Sequence, residues 1–190
     1  MSPRPQKGQS VALQRASARQ WVLKPQDLAV VLRLVLLRGE HLPYAALADQ
    51  LKLSPFEAHA AVQRLLSARL AVERDGAFRP VMSALRPFVI SGAPYAYPPV
   101  RGEMTIGFPT AQAVTPLKNR INEAADSIFV WPHSAGTTRG ASLLPLYPKL
   151  PLAARENQEF YELLALFDAL RVGQAREREL ARKLLEERLR

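Results

Sequence analysis

The sequence predicts a mainly α chain with a small β wing: N-terminal helices ending in a hairpin, a loop-rich α+β segment, and C-terminal helices. Three observations carry that prediction. Leucine and valine recur at helical spacing after Pro25. Ser54 and Glu57 bracket a proline in the pattern that starts a helix. Asp75-Gly76 separates two short apolar runs, as a tight hairpin turn requires.

The first helix is expected over residues 25–38, with Pro25 at its first position and Gly39 as its stop. Leu28, Val31, Leu32, Val35 and Leu36 give it one buried face. A second, short helix covers residues 44–51, with Leu47, Ala48 and Leu51 on one side, and Lys52 and Leu53 form the turn that follows. The third helix starts at Ser54, whose hydroxyl can accept from the Glu57 amide while the Glu57 carboxylate reaches back. It ends near Ala68, and the runs 70–73 and 77–80 form the hairpin.

A short helix over 83–90 is expected to be kinked by Pro87. Residues 93–151 hold nine prolines and short apolar pieces at 104–106 and 127–131. Tyr95, Tyr97, Phe108, Phe129, Trp131 and Tyr147 need packing partners, so this stretch reads as a loop-rich module with a few strands. From Ala154 the chain turns helical, with a stripe of Phe160, Leu163, Leu164, Phe167 and Leu170, a break at Gly173, and a last helix carrying Leu180, Leu184 and Leu185. The expected divisions are a flexible basic arm (1–20), a first folded unit (21–82), the loop-rich segment (83–153) and the C-terminal helices (154–190).

The formal net charge is +9, and it is unevenly placed. Residues 1–80 carry 12 Lys/Arg against 6 Asp/Glu, residues 81–150 carry 6 against 3, and residues 151–190 balance at 8 and 8. A basic first half suits a polyanionic partner. The chain has no cysteine, which removes disulfides and thiolate chemistry and fits a cytoplasmic setting. The polar, basic N-terminus is no signal peptide, and the longest apolar stretch, 28–37, is too short to cross a bilayer.

Residues 44–72, YAALADQLKLSPFEAHAAVQRLLSARLAV, resemble the helix-turn-helix of bacterial winged-helix transcription regulators with a MarR-like DNA-binding domain. The resemblance rests on Leu47-Ala48 in the second helix, Leu53-Ser54 at the turn, and the closing Arg64-Leu65-Leu66 with Leu70. It implies that the third helix enters the major groove of double-stranded DNA. The implied contact residues are Ser54, Pro55, Phe56, His59, Gln63 and Arg64 on that helix, with Gln63 and Arg64 foremost. Phe56 would meet a thymine methyl, and Arg74 and Arg79 on the hairpin would reach phosphates or the minor groove. Two positions depart from the pattern, which often has glycine where this chain has Lys52 and Arg69. A left-handed backbone at Lys52 would cost roughly 1–2 kcal/mol relative to glycine, so either the local geometry differs there or the added charge offsets the strain near phosphate.

Such regulators pair to match two half-sites, and the stripe of Phe160, Leu163, Phe167 and Leu170 is expected either as a homodimer seam or as a face that packs on its own domain. The segments GFPTAQAV, LLPLYPKLP and LLALFDALRVGQARERELA are similar to those of small bacterial winged-helix proteins encoded beside nucleotidyltransferase-like toxins. That resemblance implies an antitoxin or autorepressor with a toxin partner. Chemistry of other kinds lacks support. His41, His59 and His133 are far apart, so no metal site is expected, and no phosphate-cradling glycine motif or serine-hydrolase elbow occurs. With three acidic residues between 81 and 150 there is no acid/base pair to propose, so neither an enzyme nor a cofactor is expected.

Overall fold

The computed structural model describes residues 22–120 and 128–190. The expected basic arm at 1–20 lies outside the described residues, as does Ser127 of the apolar piece at 127–131. Pro25 occupies the first position of helix α1 (Pro25–Leu36), where a missing N–H costs nothing, and the Lys24 amide donates to Asp27 Oδ2 at 2.8 Å. The helix stops short of Arg38 because the backbone turns left-handed at Arg38 and Gly39, with φ 50° and 87°.

Helix α2 (Tyr44–Leu51) ends at Lys52, which adopts φ 54° and ψ 32°, the left-handed conformation that disfavours a side chain. Its ammonium does not lie free for phosphate: Lys52 Nζ sits 2.8 Å from Glu156 Oε1, far along the chain. Helix α3 (Pro55–Ser67) begins on the Ser54–Glu57 capping box, and the chain leaves it through a left-handed Arg69, φ 57°. Strands β1 (Ala71–Arg74) and β2 (Ala77–Pro80) pair antiparallel with Arg74 opposite Ala77. Asp75 and Gly76 between them both have positive φ, 55° and 73°, as a two-residue hairpin turn requires.

Beyond the hairpin the chain stays helical for longer than expected. Helix α4 (Met82–Pro87) passes into a π turn (Phe88–Gly92) and then α5 (Ala93–Ala96). Pro87 removes a donor from the α ladder, and the wider turn takes up the mismatch. The loop-rich stretch is built on β3 (Arg101–Thr110), β4 (Phe129–Pro132) and β5 (Thr138–Leu143). β3 pairs antiparallel with both others, and β4 and β5 pair parallel, so the three strands close on one another. Gly107 stands where the closure is tightest: a Cβ there would lie 2.1 Å from the Trp131 carbonyl oxygen.

Helices α6 (Leu150–Arg155), α7 (Gln158–Val172) and α8 (Ala175–Arg188) complete the chain. Over the described residues the protein is mixed α/β and about 53% helical, with the helices dominant and the sheets small. One apolar core runs from Leu28 in α1 to Leu189 beyond α8, across the expected divisions at 82/83 and 153/154. Its axis is α7, which packs on α1, α8 and β3. This overturns the expected dimer seam. Phe160, Leu163, Phe167 and Leu170 are 1%, 1%, 0% and 6% exposed, so a second copy has no access to them. Ala165, Leu166 and Ala169 on the other sides of α7 are buried as well, so residues 163–170 are interior all round.

Candidate nucleic-acid interface

The start of α3 is fixed by local chemistry. The Ser54 amide donates to Glu57 Oε2 at 2.8 Å, the Ser54 hydroxyl donates to the same oxygen at 2.8 Å, and the Glu57 amide returns a bond to Ser54 Oγ at 3.2 Å. The Ser54 amide and hydroxyl hold the Glu57 carboxyl below its ordinary value, helped by the charges of Lys149 and Lys24. Two lysines from distant parts of the chain therefore flank this end of the helix. Pro55, Phe56 and His59 lie on the solvent side, with Phe56 79% exposed.

Tyr44 links that face to the hairpin. Its ring meets the edge of His59 at 4.9 Å between centroids and lies 5.2 Å from Phe78 of β2. Burial pushes the Tyr44 phenol above its ordinary value, opposed by its hydrogen bond with Gln63. His59 and Gln63 thus share one aromatic support, which the sequence reading did not single out. An aromatic residue opening α2, just after Pro43, was the available signal.

Arg64 does not belong to the outward face. Its guanidinium turns inward and grips Asp27 of α1 in a fork, Nε to Oδ2 at 2.7 Å and an Nη to Oδ1 at 2.6 Å. The side chains are 8% and 1% exposed, so Arg64 anchors α3 to α1 and offers nothing to an outside partner. It is the only Lys or Arg in α3, whose outer face is therefore neutral apart from Glu57. The charges that act on its start come from elsewhere in the chain, Lys24 and Lys149. Lys24, Arg69, Arg74 and Lys149 are exposed. Arg79 is 44% exposed and only loosely paired with Asp75, at 3.9 Å.

A second polar cluster lies on α7. Asp168, 2% exposed, accepts from the Thr110 hydroxyl and the Trp131 indole N–H, each at 2.7 Å, and pairs with Arg171. Arg171 also donates to the Tyr97 carbonyl at 3.2 Å. All partners are internal, so the cluster ties the three-stranded unit to α7 and presents no reactive group.

Among the described residues no group of three His, Cys, Asp or Glu stands where it could hold a metal ion, and no helix is long and apolar enough to cross a membrane. Comparison of the chain with protein-family models, with curated proteins and with solved structures finds no match.

Proposed function

We propose that the protein binds double-stranded DNA through α3 and the β1–β2 hairpin, used as a winged helix-turn-helix, and regulates transcription by occupying an operator. The observation that supports this most is the outward face at the start of α3, where Pro55, Phe56 and His59 stand clear of the core and exposed Lys24 and Lys149 act on Glu57. With Arg64 internal, base reading falls to neutral groups: Phe56 against a thymine methyl, and His59 and Gln63 by hydrogen bonds. The flanking cations supply the contacts to phosphate. Two copies on two half-sites would pair through a surface other than α7.

The test is a titration of the protein against its own upstream DNA and a scrambled duplex at two salt concentrations. Tight binding to the first, with weak and steeply salt-dependent binding to the second, supports a sequence-specific regulator. Equal, weak binding to both rejects it.

A second reading, a protein-interaction module of the antitoxin kind, is favoured by one observation. Val100, Met104, Ile106 and Leu144, on and beside β3 and β5, are each more than half exposed. Co-purification of a neighbouring gene's product, lost on Met104→Asp and Ile106→Asp substitution, would favour that reading.

A further inference from the structure

Away from α3, between α5, the segment that follows it and α8, lies a half-open cavity of about 620 Å3, within the range of small-molecule sites. Its lining is divided in character. One side carries Pro98, Pro99 and Tyr95, a residue 85% exposed. The other carries Arg171, Arg178 and Arg182, with Glu179 the only acidic residue in the lining.

The cations are poorly matched within the protein. Arg178 and Arg182 are one turn apart on α8, so their guanidinium groups extend from the same face. Arg178 has no acidic partner among the described residues, and Arg182 reaches Glu179 only at 4.0 Å between half-exposed side chains. Arg171, 3% exposed, gives its terminal nitrogens to Asp168 and the Tyr97 carbonyl, while its Nε–H has no acceptor among the described residues. An exposed tyrosine beside prolines offers a ring a surface to stack on. A pair of guanidinium forks suits a phosphate better than any monoanion.

We propose that this cavity binds a mononucleotide, with its base on Tyr95 and its phosphate between Arg178 and Arg182. The proposal uses no residue of α3 or the hairpin and stands or falls apart from DNA binding. It is tested by calorimetric titration of the full chain with AMP, UMP, adenosine and inorganic phosphate. The expected result is saturable binding of AMP or UMP with Kd below about 1 mM, and at least ~10-fold weaker binding of adenosine and of phosphate alone. Preference for AMP or UMP assigns the base as purine or pyrimidine. The double variant Arg178→Gln, Arg182→Gln loses the interaction, Tyr95→Ala weakens it by about 5- to 10-fold, and both keep the wild-type melting temperature. Absence of saturation by either nucleotide up to about 10 mM, or wild-type affinity in the folded double variant, overturns the proposal.

Discussion

Arg64 of α3 and Asp27 of α1, 37 residues apart, meet in two parallel hydrogen bonds of 2.7 and 2.6 Å inside the protein. A fork of this geometry fixes both the distance and the rotation of one helix against the other. Removing one partner leaves the other charge buried and unpaired, so Arg64→Ala is expected to cost about 3–5 kcal/mol of stability. The double variant Asp27→Leu, Arg64→Met should recover most of that loss. Urea unfolding of the three proteins checks this; a mild effect of Arg64→Ala alone would show that the pair is not holding α3.

If the proposed interface is right, Phe56→Ala and Gln63→Ala each weaken binding to the cognate duplex by about 1–3 kcal/mol and leave scrambled DNA unaffected. Arg74→Ala and Arg79→Ala weaken both duplexes alike and lower the slope of log K against log salt by about 1 each. Fluorescence anisotropy across a salt series separates the two patterns. Wild-type binding by all four variants would remove the interface from consideration.

The cap of α3 carries a pH dependence. Glu57 is held below its ordinary value of 4.5 by the Ser54 amide and hydroxyl. Its charge therefore favours the folded state above the ordinary value, and that contribution disappears as pH falls through the lowered one. Glu57→Gln should melt lower than wild type at neutral pH, with the two melting temperatures converging in acid. Ser54→Ala, which removes the cap itself, should cost about 1 kcal/mol and keep a gap throughout.

Arg69 supports a simpler expectation. It is exposed and left-handed at φ 57°, so Arg69→Gly should stabilise the protein by roughly 1 kcal/mol through relief of backbone strain. Loss of DNA affinity in the same variant would show that its charge serves the interface. A lower melting temperature would show that its side chain carries packing that exposure alone does not reveal.

The elements legible in the sequence are those fixed by neighbours in the chain. The α3 start follows from Ser54 and Glu57 three residues apart, and the hairpin from Asp75-Gly76. Whether Lys52 turns left-handed was left open by the sequence, and its partner Glu156 was not legible, because more than a hundred residues separate them. Arg64 misled for the same reason: helical spacing placed it at the edge of the outer face, while a carboxylate in α1 drew it inward. The three-stranded closure was legible only as short apolar pieces, since its pairings span long loops. On α7 the stripe of Phe160, Leu163, Phe167 and Leu170 suggested a one-sided helix. Ala165, Leu166 and Ala169 already filled the remaining sides, and between Leu163 and Leu170 only Asp168 interrupted the apolar run.

The Tyr147 hydroxyl donates to the Leu51 carbonyl at 2.7 Å, at the end of α2 where a helix leaves its acceptors unmet. Burial raises that phenol's pKa, so it remains a donor across the physiological range. The donor sits 96 residues beyond the carbonyl it satisfies. A fragment ending after the hairpin would therefore lack the group that completes its own second helix, along with the α7 face that covers α1. The first three helices are not a transplantable cassette. Grafted onto another protein without residues 147–172, they would leave the Leu51 carbonyl without its donor and the inner face of α1 uncovered.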